Sequence, residues 1–154
     1  MFLRFALVGF LSVASASFAD DYAMGNYKGG GTWVSDTGLT GTWDLTMKIT
    51  EANHEFEMDE ELTFKIPGQP DVKMAHKWTA KPTGHGFFDI ALNGKTGGWG
   101  HCENKMCQTT VAGMNEAFYF DKNDFYILGN KVAAATAQTP ETKITWRGKM
   151  TKQP

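Results

Sequence analysis

Arginine is almost missing from this 154-residue chain, which has Arg4 and Arg147 and nothing between them. The formal net charge is −2, so no basic stripe exists for a phosphate backbone to meet, and the charge pattern excludes nucleic acid as a partner. Enzyme signatures are equally scarce. The sequence has no Gly-x-Ser-x-Gly elbow, no His-Glu-x-x-His helix, no phosphate-cradling loop ahead of a helix and no Cys-x-x-Cys-His haem attachment. No cofactor is therefore expected, and catalysis is expected less than binding. After the first twenty residues, no run approaches the roughly eighteen apolar residues that a membrane helix needs. Long helix-forming stretches are lacking too, which leaves strands and tight turns as the building material.

What is present begins with a leader-like segment. Arg4 supplies a positive start, Phe5 to Val13 form an apolar stretch too short to span a bilayer, and Ser17-Phe18-Ala19 fits the small-x-small rule for cleavage. The expectation is a secretory signal over residues 1–19, with a mature chain starting at Asp20, exported to the periplasm or the outside. A buried N-terminal strand or helix is the alternative. Removing the segment takes the net charge from −2 to −3, because Arg4 is its only charged residue. Residues 20–154 suit one domain with its own core.

Period-two alternation dominates that domain. Leu39, Gly41, Trp43, Leu45, Met47 and Ile49 share one face, with Thr40, Thr42, Asp44, Thr46, Lys48 and Thr50 on the other. Phe56, Met58, Leu62 and Phe64 oppose Glu55, Glu57, Asp59 and Glu61; Met74, Trp78 and Ala80 oppose Lys73, Lys77 and Thr79; Ile144, Trp146 and Met150 oppose Thr145, Arg147 and Lys149. Half-buried strands of this kind do not belong to a parallel sheet, which buries both faces. Turn residues fall at the spacing of a meander: Ser35 to Gly38, Glu51 to Asn53, Pro67 to Pro70, Lys81 to Gly84, Asn93-Gly94, Glu103 to Met106 and Asn123-Asp124. A longer connection is expected over Ala133 to Pro140. The fold expected is an all-β antiparallel up-and-down barrel of nine or ten strands, since closure removes exposed edges. A two-sheet sandwich is the alternative.

Gly41-Thr42-Trp43 at the opening of a long amphipathic strand, with Arg147 near the C-terminus, resembles the calycin barrels: lipocalins, fatty-acid-binding proteins and avidins. In lipocalins, a Gly-x-Trp of this kind packs beneath a basic residue from late in the chain, and Arg147 is the matching candidate. The lipocalin Thr-Asp-Tyr element and the second Gly-x-Leu-x-Gly-x-Tyr strand of avidins are absent. The resemblance thus implies the architecture, and a biotin site is not carried over.

Cys102 and Cys107 flank four residues, which fits a disulfide across a hairpin in an oxidising compartment. With His101 and Met106 they would alternatively suit Cu(I). The disulfide is the simpler use of both sulfurs, so no metal is expected. Glu55, Glu57, Asp59 and Glu61 stand about 7 Å apart along a strand, too far to wrap one calcium ion, and read as a solvated face.

The inward set is rich in aromatics and thioethers: Trp43, Trp78, Trp99, Trp146, Phe56, Phe88, Phe118, Met47, Met58, Met74 and Met150. Such a set either fills a small barrel or lines an adaptable pocket. Glu60 and His76 break the apolar parity from inside and need a partner or water there. Pairing about Pro67 to Pro70 sets Glu60 opposite His76 or Trp78, and the preceding hairpin sets Trp43 at its other side. The site expected is a small apolar or aromatic ligand held by Trp43, Met58, Glu60, Met74, His76, Trp78, Trp99 and Trp146. The alternative is an envelope or secreted interaction protein with a filled core.

Overall fold

The computed structural model describes residues 24–135 and 141–154. The expected leader, and residues 136–140 of the expected long connection, lie outside that range. Ten strands follow in chain order: β1 (Gly25–Ser35), β2 (Thr40–Ala52), β3 (Glu55–Lys65), β4 (Val72–Gly84), β5 (Phe87–Leu92), β6 (Lys95–Glu103), β7 (Met106–Val111), β8 (Met114–Asp121), β9 (Asp124–Ala133) and β10 (Thr142–Lys152). Each pairs antiparallel with its neighbours in sequence, and β1 closes on β10, so one continuous barrel forms rather than two sheets. Closure leaves no open edge for another chain to extend.

The turns explain the registers. Asn93 and Gly94 both take positive φ, as a two-residue hairpin loop requires. The β2–β3 turn falls on Asn53 and His54, also both at positive φ, and so lies later than Glu51 to Asn53. That displacement slides the register by four residues relative to the expected Trp43–Glu60 pairing. Met47 stands opposite Glu60, and Trp43 opposite Phe64, which corrects the expected Trp43–Glu60 neighbourhood. Lys81 to Gly84 is not a turn but the end of β4, with a register shift between Pro82 and Gly84; the chain reverses at His85-Gly86 instead. Ala112-Gly113 supplies a reversal that its composition barely advertises, and it separates β7 from β8.

One wall of the barrel, built by β1, β2, β9 and β10, is tightly packed. Phe125 and Met150 are fully enclosed there with Tyr27, Trp33, Trp43, Leu45, Ile49 and Ile127 around them. Each such large apolar side chain contributes about 2–3 kcal/mol on burial. Close approach of β1 to β10 demands glycine, since a Cβ at Gly31 would run into the Arg147 carbonyl. The Gly29-Gly30-Gly31 run is thus a packing device within a strand. Trp43 lies across the backbone of Gly148 in the same way, leaving no room there for a side chain. Arg147 points to the outer face opposite Thr32 and is exposed, so the lipocalin-like basic cover expected over Trp43 does not form. The acidic outer face of β3 is neutralised by lysines of β4, with Glu57–Lys77 at 3.1 Å and Glu55–Lys81 at 3.6 Å.

Candidate functional site

The interior is not filled. Against the packed wall lies a cavity of about 510 Å³, lined predominantly by apolar and aromatic side chains from β2 through β10. That volume falls in the range of small-molecule sites. Strand parity explains it. Inward positions of β6 and β7 are small, namely Gly98, Gly100, Cys102 and Thr109, while the bulky residues cluster on the other strands.

Trp43, Met58, Glu60, Met74, His76, Trp78 and Trp146 all come to the wall of this one cavity. Trp99 does not: it faces outward and is 47% exposed. The reason is a bulge. Ile90 pairs with Gly98 but Ala91 with Thr96, so Gly97, at φ +117°, is an extra residue in β6. An inserted residue reverses the alternation beyond it, which turns Gly98 and Gly100 inward and Trp99 out. Cys102 and Cys107 stand opposite each other in the β6–β7 hairpin and are joined by a disulfide, with Cα atoms 4.0 Å apart. Both border the cavity. Among the described residues, no cluster of His, Cys, Asp and Glu has the geometry of a metal site.

The polar centre forms because the β3–β4 register places Glu60 directly opposite His76. Glu60 Oε2 lies 3.1 Å from His76 Nδ1 and also accepts from Trp78 Nε1 at 2.6 Å. An ionised carboxylate only accepts, so in this bond the proton sits on Nδ1. Both side chains are largely enclosed, at 20% and 13% exposure for His76 and Glu60. The hydrogen bond to Glu60 holds the imidazole above its ordinary value of 6.5, against burial and the charge of Lys131.

A second carboxyl completes the centre. Glu116 on β8 accepts from Trp146 Nε1 at 3.0 Å, and the surface it retains faces the cavity. Burial, helped by the charge of Glu60, pushes its pKa up to about 7, although the Trp146 bond and His76 pull the other way. Lys131 on β9 also lines the cavity, opposite Met114 and so one register step from Glu116. Sequence reasoning missed both. The signal was there: Met114-x-Glu116-x-Phe118-x-Phe120 and Phe125-x-Ile127-x-Gly129-x-Lys131 break apolar parity as Glu60 does, but reading them requires the Ala112-Gly113 turn. Trp33 and Trp43 keep their indole N–H groups buried without an acceptor among the described residues.

Fold and site together define a closed ten-stranded antiparallel barrel with a ligand-sized, mainly apolar interior. No family model matches the sequence, and no curated protein matches it in sequence. Among solved structures, the S-type phycobiliprotein lyase CPES from Guillardia theta has the same architecture, with a TM-score of 0.63 over 86% of this chain and 89% of that one. Sequence identity is 7%, so the likeness is one of fold.

Proposed function

We propose that this protein is an exported carrier or sequestering protein that binds a small apolar or aromatic molecule inside its barrel. The observation that supports this reading most is the cavity of about 510 Å³, whose apolar wall is interrupted by one convergent group of polar side chains. A few fixed polar groups in an apolar cleft are what orient a ligand. A protein acting only through its surface gains nothing from an interior volume, and the enclosed Glu116 costs it stability. The Glu60–His76–Trp78 group is held in place by its own hydrogen bonds, as a ligand-orienting handle is. Export is supported by the leader-like residues 1–19 and by the disulfide, which persists in oxidising compartments. Intact mass of the secreted protein should begin at Asp20; retention of Met1 to Ala19 refutes export.

The binding reading is tested with N-phenyl-naphthylamine, an uncharged dye that brightens in apolar surroundings. Wild-type protein should bind it saturably at about one per chain. Leu62→Trp and Thr109→Trp, which fill the cavity from opposite walls, should abolish binding while circular dichroism stays that of the barrel. Undiminished binding in both folded variants places the dye elsewhere and refutes the proposal.

A further inference from the structure

We infer that the ligand is an apolar amine, whose protonated nitrogen sits between Glu60 and Glu116 while its hydrocarbon or aromatic body fills the cavity. The inference rests on the ligand-binding reading above and adds the chemical class.

It follows from which hydrogen-bonding capacity the protein has left over. The indole donors of Trp78 and Trp146, and His76 Nδ1, are already spent on carboxylates. His76 Nδ1 and Trp78 Nε1 both go to Glu60 Oε2, and Trp146 Nε1 goes to Glu116 Oε1. Glu60 Oε1 and Glu116 Oε2 accept no protein hydrogen bond among the described residues, though each carboxylate has room for several donors. Trp43 Nε1 finds no acceptor among the described residues, but it has no accessible surface and is packed into the wall. Thr109 offers a hydroxyl that works either way. What faces the empty volume here is acceptor capacity on two carboxyls beside one ammonium, that of Lys131, and it is a donating ligand group that answers the two carboxyls.

A protonated amine answers it best. Glu60 on β3 and Glu116 on β8 line the same cavity, where burial and then the charge of Glu60 disfavour ionised Glu116, and a cation facing both relieves that repulsion. The positive groups facing the same space are His76 and Lys131, with Lys105 away in the β6–β7 turn. His76 is already committed to Glu60, and it loses its charge as pH rises past its elevated value, leaving Lys131 alone against two carboxylates. A ligand carboxylate would meet two anions at this point instead of a complementary pocket, so a fatty-acid-like ligand is disfavoured.

Three fluorescent probes of one shape separate the possibilities: pyrenylmethylamine, pyrenylmethanol and pyrenecarboxylate, titrated into the wild-type protein. At about pH 8 the amine should bind at least about tenfold more tightly than the carboxylate, with the alcohol between, a difference of about 1.4 kcal/mol. Its affinity should rise between about pH 6 and pH 8, with release of a proton on binding, because Glu116 must ionise to hold it. Glu60→Gln and Glu116→Gln should each erase most of the amine's advantage over the alcohol. If the three probes bind alike, or the carboxylate binds best, the amine inference is overturned and the ligand-binding reading survives. If none of them binds and N-phenyl-naphthylamine also fails, the ligand-binding reading falls, and this inference with it.

Discussion

Replacing Glu116 by glutamine should stabilise the protein in alkaline solution and leave it nearly unchanged in acid. The carboxyl binds its proton at about 7 in the folded barrel, against an ordinary 4.5. Its folded value is therefore raised, so the folded state is favoured by proton uptake below 4.5 and progressively disfavoured as pH climbs through 7. Each pH unit in that interval is worth about 1.4 kcal/mol, so an ionised Glu116 costs the fold about 3 kcal/mol above neutrality. Glutamine keeps the shape and the acceptor for Trp146 Nε1 but never ionises. Urea unfolding curves of both proteins from about pH 4 to pH 9 should coincide at the acidic end and separate to about 3 kcal/mol at the other, equivalent to a melting difference of about 10 °C. The variant's own stability should still fall somewhat as pH rises, because His76 too has a raised value and loses its contribution as pH passes it. A variant less stable than wild type at every pH, or a pH-independent difference, would mean that Glu116 is hydrated and that the enclosed polar centre is misdescribed.

The remaining expectations concern the handle, the hairpin and the packed wall. Glu60→Gln should bring the His76 titration, followed by NMR of its ring protons, down towards 6.5, and an unchanged curve contradicts their pairing. Reducing the Cys102–Cys107 bridge, or replacing both residues by serine, should cost only about 2 kcal/mol, since the loop it closes is short; loss of the folded barrel on reduction would show a larger role. Gly148→Ala should destabilise by about 1–3 kcal/mol in denaturant titration, because the added methyl group meets the Trp43 ring and the Gly30 carbonyl, and a neutral result argues against that contact.

Alternation was the most legible feature, because strand side chains reverse every residue whatever the partner strand does. The apolar faces of β2, β3, β4 and β10 could be read directly, and with them the antiparallel class and the inward placing of Glu60 and His76. The hairpin over Pro67 to Pro70 was short enough to limit Glu60 to one of two partners, and Asn93-Gly94 announced its turn. Register and parity beyond a bulge are another matter. Gly97 turned Trp99 out of the interior, and the late turn at Asn53-His54 put Met47 where Trp43 was expected. One residue of slippage changes a face, and the residue that decides it has no apolar signature of its own.

The sequence by itself therefore pointed to an antiparallel meander, a bridged hairpin and an enclosed acid–imidazole pair, since each depends on neighbours along the chain, whereas closure of β1 on β10, and so barrel over sandwich, came from the tertiary structure. Tertiary structure alone decided that the barrel encloses space, because free volume is set by how ten strands share large and small inward side chains. It also decided that Glu116 and Lys131 join Glu60 and His76 in that space. Those residues come from strands with no direct pairing between the two sets, and only closure of the sheet brings them to face one cavity.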